Sequence, residues 1–384
     1  MRILCAPDSF KESLTAAEAA RAMARGVRKA APQAQAEECP IADGGEGTVD
    51  AMLAATGGTQ HLTRVAGPLN QPVQARWGLL GTQPHQPRTA VIEMAAASGL
   101  PLVPPHQRDP TRTTTFGTGE LIRAALDEQA QRIILGIGGS ATCDGGCGAA
   151  QALGARFLDS HGQIIQEPIT GGMLQRIAQI DLSTLDDRLR RAELVVACDV
   201  TNPLTGPDGA AYVYGPQKGA TPQQVRLLDE GLAHLASLVE QATGQQLHLT
   251  PGAGAAGGLG YGAMAFLGGK LRRGIELVLD AVDLERRVRG CDLCLTGEGR
   301  LDGQSLSGKA ILGVAQAAAR QGVPTVALVG SLGPDAQRCL QAGLEGYIVI
   351  GEGLSQEESI ARAASLLEDA AARLIAQRFG HRAR

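Results

Sequence analysis

The sequence predicts an α/β protein with a mostly parallel sheet. Three observations carry that reading. Short apolar runs recur along the chain, and most are followed by Gly, Pro or Asp. Capped helical stretches lie between many of them. The 384 residues are enough for about two domains at ~100–200 residues each. The strand candidates are Arg2–Ala6, Val91–Ala95, Ile133–Ile137, Leu194–Cys198, Leu293–Thr296, Thr325–Val329 and Tyr347–Ile350. Thr15 and Glu18 form a capping box that opens an Ala-rich helix to about Ala31. Thr221, Pro222 and Gln224 open a second helix to about Gln241, with Pro at its first position. A third helix, Ser307 to Arg320, is closed by Gly322 and Pro324. Ser355 and Glu358 begin the last helix, expected to reach Phe379.

Between Gly67 and Arg88 the pattern changes. The segment is rich in Gly, Pro and Gln, with Val73, Ala75 and Trp77 in alternation, which suggests a β-hairpin. Regular αβ alternation returns from Cys291. The economical division is therefore one discontinuous α/β domain, 1–66 plus 291–384, and a second α/β domain, 67–290, inserted into it. No internal repeat stands out.

Composition narrows the function. Glycine contributes 51 residues, about 13% against a usual ~7%. Aromatics are 3% of the chain and hydrophobic residues 44%, so the core material is aliphatic and ample. Disorder is excluded on that ground. A stacking platform for single-stranded nucleic acid has too few rings. Net charge is -4, and no basic stripe offers itself to a phosphate backbone, so no nucleic-acid partner is expected. The first residues hold no signal-peptide pattern. The longest uncharged stretch, Leu249–Gly269, is broken by Gly and headed by Pro251, so no membrane partner is expected either. The eight cysteines have no framework spacing, which points to a cytoplasmic chain with reduced thiols. Cys291-Asp-Leu-Cys294 lacks a second Cys pair or His partners and enters an apolar strand, so its thiols are read as core. The scattered histidines give no triad or zinc motif.

The glycines gather beside carboxylates at strand ends. The clusters are Asp43-Gly-Gly-Glu46-Gly-Thr48, Gly136-Ile-Gly-Gly-Ser140-Ala-Thr-Cys-Asp144, Gly252–Gly262 and Gly297-Glu-Gly-Arg300-Leu-Asp302. Gly-rich turns let consecutive N–H groups converge on an anion, and nearby carboxylates can hold Mg²⁺. Acidic solvated turns are the alternative for any one cluster. Lys11, in the Asp8–Ser13 loop after the first strand, can neutralise a phosphate or a carboxylate. Gly303–Ala310 nearly matches the P-loop pattern, but Ala310 stands where a hydroxyl must bind Mg²⁺, so that fold is rejected. Lys309 still opens a helix, where it can face an anion. Asp199 and Asn202 end an apolar strand. They suit a proton acceptor and an orienting group for a hydroxyl, with an Asp/Asn-Pro turn as the plain alternative. Lys218 adds a cation before a helix.

Taken together these motifs resemble the bacterial glycerate kinase type I family. The matching stretches are Ala6–Ala16, Ala42–Thr48, Gly136–Ala141, Ala197–Leu204, Gly215–Ala220, Pro251–Gly260 and Thr296–Asp302, in order along nearly the whole chain. The sequence departs from the family pattern at Cys143, where Asn is usual, and at Cys147, where Ala is usual. The resemblance implies a discontinuous Rossmann-like parallel-sheet domain with an inserted α/β domain and a cleft between them. It also implies ATP-dependent phosphorylation of D-glycerate, most simply to 2-phosphoglycerate, with glycerate 3-kinase chemistry as the alternative. On that reading ATP phosphates lie against Gly138, Gly139 and Ser140, with Asp144 alongside. Asp43 and Glu46 serve Mg²⁺. Ser9, Arg300 and Asn202 bind substrate, and Asp199, Lys11 and Lys309 are catalytic. The expected partner is the small molecule, and a homodimer is left open. Two rivals remain to be weighed. A dinucleotide oxidoreductase lacks its G-x-G-x-x-G opening. A non-catalytic nucleotide or sugar-acid binding module would bind without turnover.

Overall fold

The polar alternation of Thr59–Ala66 and the acidic run Gln35–Glu38 both form strands, although neither is an apolar run. The computed structural model describes residues 1–45, 47–81, 86–303, 305 and 310–380. In chain order its strands are β1 (Arg2–Cys5), β2 (Gln35–Glu38), β3 (Thr59–Ala66), β4 (Pro72–Leu79), β5 (Thr89–Glu93), β6 (Arg132–Gly136), β7 (Arg156–Leu158), β8 (Gln179–Asp181), β9 (Glu193–Ala197), β10 (Lys270–Arg272), β11 (Leu293–Leu301), β12 (Thr325–Leu332) and β13 (Gly346–Val349). All seven apolar runs named from the sequence fall on strands. The run at Val91 begins earlier and stops at Glu93, because Ala95–Ser98 turns helical.

The chain divides into two units. The first comprises Met1–Asp43, Asp50–Gly58 and Ile275–Arg384. The second comprises Gly44–Val49 and Thr59–Gly274. The expected cuts at 66/67 and 290/291 therefore move. The first cut would have split a hairpin, since β3 pairs with β4 along its whole length, from Thr59↔Leu79 to Ala66↔Pro72. That hairpin spans more than the Gly67–Arg88 segment suggested. Trp77 fixes it from inside: it is 1% exposed, and its indole N–H donates to Thr63 Oγ1 at 2.9 Å. The helices Gly274–Ala281 and Leu284–Val288 fall almost wholly in the first unit, which moves the second cut.

The first unit is built on a five-stranded parallel sheet of order β13-β12-β11-β1-β2. In the unit's own strand order this is 2-1-3-4-5, the doubly wound arrangement whose topological switch point lies between β1 and β11. The helix Ala16–Ala30 joins β1 to β2. Its Thr15/Glu18 capping box is present, and its Ala-rich face packs on the helix Ala363–Phe379. Gly26 permits that approach, because a Cβ there would sit 2.1 Å from the Glu368 carbonyl oxygen. The Ser355/Glu358 box also forms, but the last helix breaks at Arg362 into Gln356–Ala361 and Ala363–Phe379. Cys294 is fully buried in the sheet, as read from the sequence.

The second unit carries a six-stranded mixed sheet, β10-β9-β6-β5-β4-β3. Its β10, β9, β6 and β5 run parallel, and the β5–β4 and β4–β3 pairs are antiparallel. Of these, β5, β6 and β9 are apolar on both faces, which is why their apolar runs were found, whereas β10 reads Lys-Leu-Arg. The helix Pro222–Thr243 starts at the predicted Thr221/Gln224 box. The Gly-rich segment after Leu249 becomes the helix Ala255–Leu267, kinked by left-handed backbone at Ala256, Gly257 and Gly258. Gly257, at φ +67°, could carry no Cβ, which would lie 1.9 Å from the Thr142 carbonyl oxygen. The glycine cluster here therefore seats one backbone against the β6 loop. Among the described residues no helix is long and apolar enough to cross a membrane.

Candidate active site

In the first unit the chain leaves β1 and continues the parallel ladder into its loop. Ala6 N–H donates to Leu295 O at 2.7 Å and Asp8 N–H to Gly297 O at 2.8 Å. This aims the Asp8–Ser13 loop at the switch point, beside the Glu298-Gly-Arg300 stretch near the end of β11. A cavity of about 760 Å³ opens there. Ser9, Lys11, Asp43 and Arg300, four of the residues named from the sequence, line it together with Asp8, Glu298 and Asp302. The size suits a small ligand.

The charges in this pocket are mixed. Burial pushes the Asp8 carboxyl up to about 7, against the Ser9 N–H that donates to its Oδ1 at 2.6 Å, and the charges of Asp43 and Glu298 push the same way as burial. Glu298 is 7% exposed and accepts the Ser305 hydroxyl at 2.6 Å. Arg300 is solvent-exposed, with Nε 3.6 Å from Asp302 Oδ2. Lys11 is exposed at the mouth. Glu12 beside it holds φ +65°, a left-handed conformation that a non-glycine residue adopts at a cost. Two cations beside the buried Glu298 and the part-buried Asp8, Asp43 and Asp302 are chemistry that fits a small hydroxy acid, with cations for a carboxylate and carboxylate oxygens to accept from hydroxyls.

In the second unit β6 and β9 are parallel neighbours, with Gly136 opposite Ala197. Their loops thus leave adjacent strand ends, where ligands of open α/β sheets bind. After β6, Gly138 and Gly139 are exposed, and Gly139 has φ +73°. A Cβ on Gly138 would meet nothing within 4 Å. Among the described residues the amides of Gly138, Gly139 and Ser140 have no hydrogen-bond acceptor. Three consecutive amides without acceptors, around a left-handed glycine, make an anion cradle.

Asp144 sits behind that turn and serves the protein. It is fully buried and accepts from Thr115 N at 2.7 Å, Thr115 Oγ1 at 2.8 Å, Gly146 N at 3.1 Å and Gly148 N at 3.3 Å. Burial raises its pKa and these donors oppose the rise. Asp144→Ala is expected to lower stability by about 3 kcal/mol, because it strands buried donors; the urea midpoint measures it. Cys143 and Cys147, the two departures from the family pattern, are buried, and burial holds both thiols protonated. Asp199 is exposed after β9, its Oδ1 accepting Gly274 N–H at 3.0 Å. Asn202 is used at both ends of its amide: Nδ2 donates to Asp208 O at 2.8 Å and Oδ1 accepts the Tyr214 hydroxyl at 2.7 Å. It holds its own loop, where the sequence suggested substrate contact. Glu46 and Lys309 lie outside the described residues.

Sequence reasoning did not assign Asp8, Glu298 or Ser305. The Gly-Glu-Gly-Arg cluster was the available signal for Glu298. Lys218 carried no signal of its burial, since lysines are mostly exposed. Among the described residues no group of three or more His, Cys, Asp or Glu is arranged to hold a metal.

A doubly wound unit with an ionic pocket at its switch point, and a second α/β unit with an anion-cradling turn, define an enzyme class that handles small phosphorylated or carboxylated molecules. Comparison with known proteins gives the particular family. Residues 3–378 match the model of the glycerate kinase family. The chain is 51% identical to the glycerate kinase of Bacillus subtilis (strain 168) over 369 residues, 96% of this chain and 95% of that one. It is 49% identical to the glycerate 2-kinase of Escherichia coli (strain K12), covering 91% and 90%. A crystal structure of a candidate glycerate kinase 2 from Salmonella typhimurium LT2 superposes with a TM-score of 0.89 at 47% identity, each chain wholly covered. The chain belongs to the glycerate kinase family, and it is an enzyme.

Proposed function

We propose that the chain transfers the γ-phosphoryl group of ATP to the 2-hydroxyl of D-glycerate, giving 2-phosphoglycerate and ADP. The observation that carries the acceptor is the first unit's pocket, where Lys11 and Arg300 line one cavity with Asp8, Asp43, Asp302 and the buried Glu298. The 2-hydroxyl is favoured by the name of the Escherichia coli relative, a glycerate 2-kinase.

Lys11 and Arg300 bind the glycerate carboxylate, Arg300 by its fork of N–H donors. Ser9 contributes a hydroxyl to the same pocket. The Gly138, Gly139 and Ser140 amides hold phosphate oxygens of the nucleotide. Asp199 accepts the proton as the hydroxyl oxygen bonds to phosphorus and the bond to ADP breaks. Lys309 offsets transferred charge. Asp43, with Glu46, offers hard oxygen donors of the kind Mg²⁺ takes one or two at a time, keeping its waters and the phosphates for the rest. The charges of Asp43 and Glu298 both push the Asp8 carboxyl up, and a cation among them would relieve that repulsion. Bound with the nucleotide, Mg²⁺ supplies positive charge to phosphate oxygens.

A second reading of the base rests on Asp8. It lines the pocket with Lys11 and Arg300, and burial pushes its carboxyl up to about 7, a value suited to a base. Asp8→Asn and Asp199→Asn separate the two, because only the base variant loses kcat while keeping its glycerate KM. The activity itself is tested by ADP release. Release is expected with D-glycerate and ATP together and absent without glycerate; no glycerate-dependent release overturns the reading.

A further inference from the structure

Lys218 is only 3% exposed. Burying an ammonium is costly unless its surroundings answer the charge. Among the described residues Lys218 has no ion pair within salt-bridge distance. Its Nζ donates to Ser140 Oγ at 2.7 Å and to the Thr142 carbonyl oxygen at 2.8 Å. Both acceptors belong to the turn after β6. Burial pushes the Lys218 ammonium down to about 8, against the nearby Asp144 charge, and the Asp144 oxygens are taken by Thr115, Gly146 and Gly148. The segment carrying Lys218 is itself seated: Gly219, at φ +94°, has room for no Cβ, which would lie 2.2 Å from the Arg108 carbonyl oxygen.

An ammonium donates and has no lone pair to return. Ser140 Oγ therefore accepts a hydrogen bond from Lys218, and its own O–H is left to donate elsewhere. The amides of Gly138, Gly139 and Ser140 are also without acceptors among the described residues. Thr142 Oγ1, fully buried, has no partner there either. Donors collect at one turn, over a buried positive charge, and an anionic oxygen is what they lack.

We infer that Lys218 is a positioning residue: it fixes the Ser140 hydroxyl as an outward donor to a phosphate oxygen of the nucleoside triphosphate held by the Gly138–Ser140 turn. The inference rests on the reading of that turn as the phosphate cradle. Lys218 acts through Ser140 and stays covered itself.

The test is a double-mutant cycle of wild type, S140A, K218M and S140A/K218M, read by KM for ATP, KM for D-glycerate and the urea midpoint. S140A and K218M are each expected to raise the ATP KM about tenfold, equivalent to ~1.4 kcal/mol, with the glycerate KM unchanged. Adding K218M to S140A is expected to change the ATP KM less than about twofold, because the second residue acts through the first. A purely structural Lys218 would lower the urea midpoint and damage both backgrounds equally, and that additivity overturns the inference. S140A alone, a small change that keeps the fold, overturns it if its ATP KM stays at the wild-type value, even should K218M fail to fold. If wild type releases no ADP with glycerate, the proposed activity has failed separately. Calorimetric titration of ADP into the same proteins then decides the Lys218 inference by the same additivity rule.

Discussion

Asp199→Asn is expected to lower kcat by about 10²–10⁴-fold, the range for removing a general base, with KM for both substrates within about twofold. The amide is the same size and can still accept the Gly274 N–H that anchors the carboxylate at 3.0 Å. Structure is therefore kept while proton affinity is lost. The effect belongs to the transition state, since the ground state needs no proton acceptor. Steady-state kinetics with a stability control reads it. Full turnover in D199N, with loss in D8N, would assign the base to Asp8.

The second large effect is at Lys11. Lys11→Met is expected to raise the glycerate KM by about 10–100-fold and leave the ATP KM near its wild-type value. A charge-assisted hydrogen bond contributes ~1.5–3 kcal/mol, and each 1.4 kcal/mol is tenfold. Lys11 lies at the exposed mouth of its pocket, so methionine removes the charge without opening the core. Arg300→Met should do less, because part of the Arg300 charge already faces Asp302 at 3.6 Å. Equal rises in both KM values for K11M would remove Lys11 from the glycerate site.

The pieces of this account differ in how they could be read from the chain. Runs such as Ile133–Ile137 and Leu194–Cys198 are buried on both faces, so hydrophobicity alone reveals them. Three edge strands do not announce themselves that way. β2 reads Gln-Ala-Glu-Glu, β10 reads Lys-Leu-Arg, and β3 buries only Val65; each is a strand because a neighbour pairs with it. The misplaced domain cuts follow from β3 in particular. Capping boxes, by contrast, are local chemistry, and all three formed where Thr15, Thr221 and Ser355 placed them. The helix break at Arg362 has no comparable local signal.

Within the candidate site, the glycine-rich turn was legible because Gly138 and Gly139 have few reasons to follow a strand except backbone geometry. Ser9, Lys11, Asp43 and Arg300 were each singled out near strand ends, and folding brings these four to one pocket. Burial was what the sequence hid. Asp144 and Asn202 looked like ligand contacts, and their polar atoms instead satisfy Thr115, Gly146, Asp208 and Tyr214. Lys218 read only as a cation before a helix, and it lies buried against Ser140 of the turn after β6. Such assignments depend on which polar groups lack partners after folding, a long-range property.

The central claim is phosphoryl transfer to the 2-hydroxyl of glycerate. It is tested most directly by incubating the enzyme with ATP and D-glycerate and passing the product straight to enolase without phosphoglycerate mutase. Enolase consumes 2-phosphoglycerate and leaves 3-phosphoglycerate untouched. Phosphoenolpyruvate formed in step with ADP is the predicted result. ADP without phosphoenolpyruvate, until mutase is added, would place the phosphoryl group on the 3-hydroxyl and contradict the account.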